Sequence, residues 1–399
     1  MINEIYVAED ICYIGAGDRK ASLFENIYPI DSGVTYNSYL LKDEKTVLFD
    51  TVDRAVEEAF FENLYGALGG RGLDYLVVHH VEPDHSFCIM RVLKEFSGVK
   101  VVTSRKAAQL LSEYFGFSAE DALIVKDGDT LSCGKHTLRF IAAPMVHWPE
   151  VTMSYDETTG TLFSADAFGS FGAVNGNIFA DPNKFETEEL YEARRYYTNI
   201  VGKYGVQVQN VLKRVKELSV KAVCPLHGRV WREGFGAFLE KYLLWSSYQP
   251  EERGVCIFCG SIYGHTMRAA ELLANLLAEY RIPVVLYDTS KTDGSYLLSE
   301  AFRYSHLVFA AATYNAGIFT SMERLLSELK THNFRNRKYS IIENGSWAPQ
   351  SGKLMEETLS SLKGMLKCGD TVSMLASVKE DTKAQLKSLA QSIAAEFAE

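Results

Sequence analysis

The first 250 residues alternate short apolar runs with polar turns. The runs predict strands, and they lie at residues 46–49, 75–78, 99–102, 138–141, 161–163 and 221–224. Amphipathic patterns at residues 56–64 and 107–114 predict helices between some of these strands. A segment that mixes strands and helices in this way favours sheets covered by helices.

The apolar pattern lapses at residues 246–254, where polar residues accompany a proline and a glycine. Such a stretch is typical of a linker. At 399 residues the chain is also longer than one hydrophobic core usually grows. The sequence therefore predicts a boundary near residue 250, with one domain at residues 1–250 and a second at residues 254–399.

Beyond the predicted linker, apolar runs alternate regularly with amphipathic segments. The predicted strands are residues 255–258, 284–287, 307–310, 339–342 and 371–375. The predicted helices are residues 269–277, 321–329 and 354–366, followed by a helix at the C-terminus. Strands separated by helices in this way predict an α/β domain with a doubly wound, five-stranded parallel sheet of the flavodoxin-like type.

Composition and charge limit the cellular setting and the partners. The formal net charge of -10 disfavours a nucleic-acid-binding surface, which needs clustered cations. The first residues lack the basic region of a signal peptide, and no apolar run is long enough for a membrane span. Seven scattered cysteines form a poor disulfide framework, and Cys256 and Cys259 lie in a run that reads as a buried strand. We expect a cytoplasmic protein that binds neither membrane nor nucleic acid.

Potential metal ligands crowd the sequence directly after the predicted strand at residues 75–78. Residues 79–85 read His-His-Val-Glu-Pro-Asp-His. His80, Glu82 and Asp84 alternate, so an extended backbone would direct their side chains to one side. Pro83 would stiffen the turn that brings His85 to the same place. Taken alone, this cluster could still be a solvated loop.

Three more candidate ligands, His147, Asp166 and His227, each follow a predicted strand. Strand ends and the loops beyond them are where binding sites are usually built. This repeated placement favours a metal site over a solvated loop. His79 would point away from His80 on an extended backbone, so we expect it to pack rather than to bind metal.

The arrangement resembles the metallo-β-lactamase superfamily, whose signature is H-x-H-x-D-H followed by separated His, Asp and His residues. Glu82 stands where that signature has its second histidine. An added carboxylate shifts the preference from zinc toward iron or manganese, and this departure is the pattern of flavodiiron proteins. The resemblance implies an αββα sandwich of the metallo-β-lactamase type in residues 1–250.

By that resemblance two iron ions bind in the first domain, each with an open position for a diatomic gas. The implied ligands are His80, Glu82 and His147 for one iron, Asp84, His85 and His227 for the other, and Asp166 as the bridge. Tyr197, together with its neighbour Tyr196, is a candidate proton donor. The alternative is a zinc hydrolase of the same fold fused to a flavodoxin, in which Asp84 would position a metal-bound hydroxide.

Residues 260–266 read Gly-Ser-Ile-Tyr-Gly-His-Thr between a predicted strand and a predicted helix, which indicates a phosphate-binding loop. Loops at residues 312–317 and 344–349 each add an aromatic side chain at later strand ends. The three loops resemble those of flavodoxins, especially of flavodiiron proteins, and imply FMN. The implied FMN-binding residues are Ser261, Ile262, Tyr263, Gly264, His265, Thr266, Thr313, Tyr314, Asn315, Ala316, Gly317, Gly345, Ser346, Trp347 and Ala348.

The resemblance covers essentially the whole chain and implies an oxidoreductase that passes electrons from FMN to the di-iron site. The reaction would be reduction of dioxygen to water or of nitric oxide to nitrous oxide, and the sequence does not choose between these gases. Because no rubredoxin-like extension with paired C-x-x-C motifs is seen, we expect an external electron donor such as rubredoxin. The family architecture implies a head-to-tail homodimer, or a tetramer built from dimers.

Overall fold

The structure is a computed structural model that describes residues 5–398. These residues form two compact units, one ending at Leu243 and the other beginning at Leu244. The stretch expected as a linker is short, since a helix extends over Phe235–Ser246 and a strand begins at Glu252. The observed division therefore falls slightly before residue 250.

The first unit is built on two main sheets. Its strands are, in chain order, β1 (Ile5–Ala8), β2 (Ile11–Tyr13), β3 (Ala16–Asp18), β4 (Leu23–Phe24), β5 (Tyr28–Pro29), β6 (Val34–Tyr36), β7 (Tyr39–Lys42), β8 (Thr46–Phe49), β9 (Tyr75–Val77), β10 (Lys100–Thr103), β11 (Leu123–Ile124), β12 (Thr130–Ser132), β13 (Thr137–Ala142), β14 (Thr152–Asp156), β15 (Thr161–Phe163) and β16 (Ala222–Cys224). One sheet has the order β1-β2-β7-β8-β9-β10-β11, and the other has the order β12-β13-β14-β15-β16. Two small sheets pair β3 with β6 and β4 with β5.

The helices of this unit are α1 (Glu57–Leu68), α2 (Pro83–Ser86), α3 (Ile89–Glu95), α4 (Arg105–Phe115), α5 (Leu190–Tyr196), α6 (Gly205–Val215) and α7 (Phe235–Ser246). The predicted helices at residues 56–64 and 107–114 correspond to α1 and α4. Local chemistry sets the limits of α4. The hydroxyl of Ser104 accepts the Ala107 N–H at its start, and Gly116 ends it in the left-handed conformation.

The core of the first unit lies where the inward faces of the two main sheets meet. Val77 and Phe49 from one sheet share a buried cluster with Leu138 and Phe163 from the other. The rings of Phe49 and Phe163 stack with centroids 3.9 Å apart. Burial of large apolar side chains between sheets is the main force that holds such a sandwich together. The predicted metallo-β-lactamase-like fold of the first domain is confirmed.

The second unit is a doubly wound parallel sheet, as predicted. Its strands are β17 (Glu252–Gly260), β18 (Val284–Asp288), β19 (Tyr304–Tyr314), β20 (Gly317–Ile318), β21 (Lys338–Gly345), β22 (Leu366–Lys367) and β23 (Val372–Leu375). Its helices are α8 (His265–Glu279), α9 (Gly294–Arg303), α10 (Thr320–Thr331), α11 (Ser351–Ser360) and α12 (Glu380–Ala398). The main parallel strands follow the order β18-β17-β19-β21-β23, which places the switch point between β17 and β19.

The predicted helix at residues 354–366 is wrong at its C-terminal end. Helix α11 stops at Ser360, and Leu366 instead belongs to strand β22 beside β21. Gly364 adopts a φ of +70° next to Asn336, a conformation that reverses the chain. The apolar residues of this segment gave a helical period, but pairing with β21 decided the structure.

The cysteines lie in the interior of the two units. All seven are buried, and none forms a disulfide bond within residues 5–398. Burial raises the pKa of the Cys259 thiol to about 12 and that of Cys256 well above its ordinary value, so this C-x-x-C pair lacks the exposed, electropositive setting of reactive thiols. None of the helices within residues 5–398 combines the length and the apolar character needed to cross a membrane.

Candidate metal centre and flavin loops

All seven predicted metal ligands meet at one end of the first unit. They come from the segment that follows β9 and from the loops after β13, β15 and β16. One expectation about the backbone is wrong, because it is not extended as far as Asp84. Pro83 is the first residue of α2, and this short helix carries both Asp84 and His85.

The ligand atoms form two groups in which every atom lies within 4.8 Å of the others of its group. The first group is His80, Glu82, His147 and Asp166, and the second is Asp84, His85 and His227. This division matches the assignment implied by the family resemblance. Four histidines and three carboxylates, without a thiolate, form a donor set that suits iron.

The atoms of the first group are spaced as the ligands of a single metal ion would be. Glu82 Oε2 lies 3.1 Å from His80 Nε2 and 3.2 Å from His147 Nε2. Asp166 Oδ2 lies 3.3 Å and 3.1 Å from the same two nitrogens. Ligand atoms about 2.1 Å from a shared divalent transition-metal ion lie about 3 Å apart when they meet at right angles. The spacing therefore fits one ion.

The second group turns toward the other oxygen of the same carboxylate. His85 Nε2 and His227 Nε2 are 3.0 Å apart, and Asp84 Oδ2 lies 3.4 Å and 3.3 Å from them. Asp166 Oδ1 lies 3.3 Å from His85 Nε2, whereas Asp166 Oδ2 faces the first group. Asp166 thus presents one oxygen to each group, which is the geometry of a bridging carboxylate.

Hydrogen bonds outside the two groups fix the histidine tautomers. His80 Nδ1 donates to Glu150 Oε1 over 2.8 Å, and His227 Nδ1 donates to the Thr35 carbonyl over 3.0 Å. Since that carbonyl can only accept, the proton is on Nδ1 and the lone pair on Nε2 is directed to the site. Sequence reasoning missed Glu150, although a carboxylate three residues after His147 was a possible signal.

Buried oxygens without partners support a bound cation. Asp84 Oδ1 and Asp166 Oδ1 are inaccessible to solvent and accept no hydrogen bond from any residue that the structure describes. A buried carboxylate oxygen that accepts no hydrogen bond is poorly compensated for its desolvation, even where a histidine lies nearby, as His85 does 3.3 Å from Asp166 Oδ1. Metal ions at these positions would remove that cost, so the residues present fit a two-metal centre.

The charges of the site also favour bound metal ions. Burial alone would lower the pKa of His147, but hydrogen bonds to Asp166 and Glu82 raise it to about 9. Burial opposes ionisation of Asp166, yet His85, His147 and His80 hold the pKa of its carboxyl well below the ordinary value. The carboxylates therefore attract positive charge strongly, and metal ions would compete with protons for the histidine nitrogens.

Aromatic side chains pack around the candidate metal ligands. Trp148 meets His80 edge to face at 5.2 Å between ring centroids, and Phe24 on β4 meets His227 at 5.0 Å. Such apolar walls restrict water near a metal site. Trp231, which also follows a candidate ligand in sequence, packs against two phenylalanines of the surrounding core.

Of the two candidate proton donors, Tyr196 lies closer to the metal ligands. Its ring centroid is 5.7 Å from that of His227, and its buried hydroxyl oxygen has no hydrogen-bond partner among the described residues. Burial, followed by the charges of Asp166 and Asp84, raises its pKa well above the ordinary value. Tyr197, the residue named from the sequence, has its ring 4.8 Å from Tyr242.

His79 packs as expected. Its Nδ1 lies 2.5 Å from Asp50 Oδ2, and its Nε2 lies 2.8 Å from Ser154 Oγ. Its ring stacks parallel to Phe49 with centroids 6.0 Å apart. Both ring nitrogens are therefore used inside the sandwich, and the residue belongs to neither group of candidate ligands.

Glu25 is a feature that the sequence did not reveal. It lies in the turn between β4 and β5, and its carboxyl group comes close enough to Glu82 and Asp84 for their charges to act on it. Although the residue is exposed overall, burial of its carboxyl group, together with the charges of Glu82 and Asp84, raises its pKa to about 8. Since no motif marks this turn, only the fold could bring Glu25 to the site.

The predicted phosphate loop lies between β17 and α8. Gly264 adopts a φ of +89°, and its N–H donates to Ser261 Oγ over 3.1 Å. Helix α8 begins at His265 without a side-chain cap, which leaves N–H groups of its first turn available to a phosphate. Thr266 Oγ1 accepts from Asn344 Nδ2 over 3.2 Å and ties this loop to the end of β21.

The other two predicted flavin loops follow β19 and β21, on the same carboxyl edge of the sheet. Tyr263 is 90% exposed and Trp347 is 88% exposed, while Tyr314 is 44% exposed. Large exposed aromatic surfaces mark binding sites, and flat rings suit a planar ligand. The structure therefore gathers the expected FMN residues on one edge of the sheet.

Comparison with known proteins identifies the family of each unit. Residues 34–228 match the family described as ODP family beta lactamase, and residues 257–392 match the flavodoxin family. An uncharacterized protein of Methanocaldococcus jannaschii is 31% identical over 80% of this chain and 80% of its own length. The anaerobic nitric oxide reductase flavorubredoxin of Aeromonas hydrophila is 30% identical over 86% of this chain and 70% of its own. The structure of rubredoxin:oxygen oxidoreductase from Desulfovibrio gigas aligns with a TM-score of 0.93 and 26% identity, covering 99% of both chains.

A lactamase-like unit that gathers histidines and carboxylates, followed by a flavodoxin-like unit, defines a class of metal- and flavin-dependent oxidoreductases. The chain belongs to the flavodiiron protein family. It is an oxidoreductase whose cofactors are FMN and a di-iron centre. The enzyme class and the cofactors expected from the sequence are thereby confirmed.

Proposed function

We propose that this protein reduces dioxygen to water, nitric oxide to nitrous oxide, or both, with electrons that enter through FMN. The observation that carries the proposal is Asp166, whose two carboxylate oxygens face two separate groups of histidines. Two adjacent metal positions suit a diatomic gas. The names of two similar proteins, a nitric oxide reductase and an oxygen oxidoreductase, support the same substrate class.

We assign the metal ligands as follows: His80, Glu82 and His147 for one iron, Asp84, His85 and His227 for the other, and Asp166 for both. When bound, the two irons supply electrons to the gas and polarise it. The three carboxylates offset much of the charge of the metal ions. Glu150 and the Thr35 carbonyl hold two of the histidines in the tautomer that binds metal.

Reduction of either gas consumes protons, and two side chains beside the ligands hold them. The Tyr196 hydroxyl is buried with its oxygen unsatisfied, so it can donate a proton toward the centre. The carboxyl group of Glu25 lies beside Glu82 and Asp84, and its burial together with their charges raises its pKa. Phe24 and Trp148 keep bulk water from the ligands. The ring of Tyr197 packs against Tyr242, and we therefore assign the donor role to its neighbour Tyr196.

We assign FMN to the three loops at the carboxyl edge of β17, β19 and β21. Ser261, Thr266 and the first N–H groups of α8 would hold its phosphate. Tyr314 and Trp347 would border its ring. FMN accepts electrons in pairs or singly, and the protein supplies binding, orientation and exclusion of competing reactions.

The electron donor is an external carrier such as rubredoxin, and the active assembly is a head-to-tail homodimer or a tetramer of such dimers. The name of the Desulfovibrio gigas protein supports that donor. Exposed apolar side chains suit a contact between copies: Leu23 and Ile27 beside the metal centre are 45% and 55% exposed, and Trp347 is 88% exposed. Seven buried thiols without a disulfide bond among the described residues favour a reducing compartment, the cytoplasm.

The test is reconstitution with iron and FMN under anaerobic conditions, followed by addition of a reduced donor. We expect about two irons per chain, the number of metal positions in the site, and consumption of dioxygen or nitric oxide at rates far above those of protein loaded with FMN alone. Retention of zinc in place of iron, without consumption of either gas, would instead support the lactamase-fold hydrolase. Parallel measurement of both gases identifies the preferred substrate.

A further inference from the structure

A second crevice opens in the flavin unit beside the phosphate loop. Its volume is about 650 Å³, and it lies between the loop after β18 and the first turns of α9 and α10. None of the residues expected to bind FMN lines it. A crevice of this size, at the carboxyl edge of a parallel sheet, is of the kind that binds small ligands.

The lining combines an apolar floor with a polar rim. Phe319 supplies the accessible apolar surface, Leu297 and Leu325 are buried beneath it, and hydroxyls of neighbouring serines and threonines surround it. Arg324 also lines the crevice and makes no hydrogen bond or ion pair with any residue in the range 5–398. Its Nε lies 3.9 Å from the position of a Cβ on Gly294, so the guanidinium lies over the start of α9.

Acidic residues near the crevice are already engaged. Asp288 accepts from the Ser290 N–H and hydroxyl, and lies 3.6 Å from Lys291 Nζ. Asp293 caps α9 by accepting from the N–H and hydroxyl of Ser295. The carboxylates are thus used within the loop, while the guanidinium of Arg324 is left for an external anion. Arginine is well suited to a phosphate because its donors form a rigid fork.

We propose that the crevice binds a nucleotide that carries a phosphate monoester and is distinct from FMN. The base would lie against Phe319, and the phosphate would meet Arg324 at the rim. The crevice also adjoins the phosphate loop, since a Cβ on Gly260 would lie 2.8 Å from Phe319 and 3.2 Å from Thr289. Because these two side chains line the crevice, an occupant would restrain the loop and slow the release of FMN.

The test uses the holoprotein, loaded with iron and FMN, and titration calorimetry with three probes. AMP carries both the base and the phosphate, adenosine carries the base alone, and inorganic phosphate carries the anion alone. We expect saturable binding of AMP at least about tenfold tighter than binding of either partial probe, because each part contributes its own contacts. Equal affinity for inorganic phosphate and AMP, or no saturable binding of AMP, would overturn the proposal.

Variants on one helix locate the site. Arg324→Gln should weaken AMP binding by roughly ten- to a hundredfold, the range for loss of a charge-assisted hydrogen bond. Lys330→Gln removes an exposed cation farther along α10 and should leave AMP binding unchanged. Equal affinity of Arg324→Gln and the unmodified protein would contradict the assignment.

Flavin fluorescence during the titration separates this crevice from the FMN site. Bound AMP should lower the rate of FMN release, and the Arg324→Gln variant should lose this effect. Displacement of FMN by AMP would mean that AMP occupies the phosphate loop, which would refute the proposal. Because binding is measured directly, failure of gas reduction would leave this result intact and would bear only on the proposed function.

Discussion

The two redox sites of this protein differ in how far protein side chains alone enclose them. In the metal centre His80, His85, His227 and Asp166 are at most 1% exposed. In the flavin unit Tyr263 and Trp347, both expected at the cofactor, are 90% and 88% exposed. The first site is an enclosed set of side chains that face one another, whereas the second is an open edge of loops.

The difference follows from the groups that each site uses. Buried carboxylates and imidazoles must find partners inside the protein, so the ligand residues hydrogen-bond to one another and to groups such as Glu150. Backbone N–H groups and aromatic rings on a loop can face water until a cofactor arrives. The protein thus fixes the metal geometry in advance and leaves the flavin surface to be covered.

Buried histidines show the same contrast. His80 is surrounded by Asp166, Glu150 and Glu82, which raise its pKa well above the ordinary value despite its burial. His306 in the flavin unit is equally buried, but its Nε2 meets only Ser340 Oγ at 3.0 Å, and burial lowers its pKa to about 3. The charge of the neighbours, and not depth alone, decides whether a buried histidine holds a proton.

The largest effect should come from Asp166→Asn. The variant loses the charge that faces both metal positions, so we expect iron content to fall from about two per chain and gas consumption to fall at least a hundredfold, toward background. Metal analysis and oxygen-electrode traces measure this. Glu58→Gln, which neutralises a carboxylate on α1, should retain full iron and activity. Normal iron content in Asp166→Asn would contradict the view that buried side chains of the protein define the metal centre.

Glu82→His restores the signature of the zinc-binding relatives at one position. The carboxylate that faces His80 and His147 is lost, so we expect reduced iron retention in the first group and a higher ratio of zinc to iron. Growth in medium containing both metals, followed by elemental analysis of the purified protein, measures the ratio. Unchanged iron content and activity would contradict the role assigned to Glu82.

Glu150→Gln tests whether the tautomer of a ligand matters. Loss of the carboxylate behind His80 should lower iron affinity or activity roughly ten- to a hundredfold, as for other outer partners of metal ligands. Asp50→Asn is the matched control, because Asp50 supports His79 in the same manner although His79 binds no metal. Asp50→Asn should lower stability but keep iron; equal loss of iron in both variants would refute the distinction.

The flavin unit should lose stability in acid because of His306. Its folded pKa of about 3 lies below the value of the unfolded chain, so the unfolded state binds more protons once the pH falls below the ordinary histidine range. The expected loss is about 2 kcal/mol at about pH 5, relative to neutral pH. Urea unfolding monitored by flavin signals, at neutral pH and in mild acid, should show a smaller loss in His306→Gln. An equal loss in both proteins would exclude His306 as the cause.

The smallest effect should be that of Thr266→Val in the phosphate loop. This change removes one hydroxyl that meets Asn344 and is proposed to meet the FMN phosphate, so FMN binding should weaken about tenfold. Fluorescence titration of the flavin-free protein measures the affinity. Thr331→Val at the end of α10 should leave it unchanged. A loss of several hundredfold would mean that the flavin site depends on buried side chains as the metal centre does.

The sequence predicted the metal ligands better than their surroundings. His80, Glu82 and His147 could be named because their chemistry and their positions after strands are visible in the chain. Glu25 could not, because nothing local distinguishes it from an ordinary surface carboxylate, and Glu150 offered only its position three residues after His147. Tyr197 was named ahead of Tyr196, and the fold turns the ring of Tyr196 toward His227, because neighbouring residues on a helix point in different directions.

Local patterns also failed where long-range pairing prevailed. Residues 354–366 have a helical period, yet strand pairing with β21 takes Leu366 out of the helix. The extended backbone expected through Asp84 was replaced by α2, which begins at Pro83. At Leu366 a short-range preference of small magnitude was outweighed by strand pairing. At Pro83 the missed signal was itself local, because proline is favoured at the first position of a helix.

The sequence by itself determined the periodicity of the two halves, the types of ligand available and the loops that can hold a phosphate, because these properties are carried by neighbouring residues. Only the tertiary structure decided which oxygen of Asp166 faces which histidines, which groups orient His80, and that Glu25 reaches the centre. Those facts depend on contacts between segments far apart in the chain, where packing and burial set the partners.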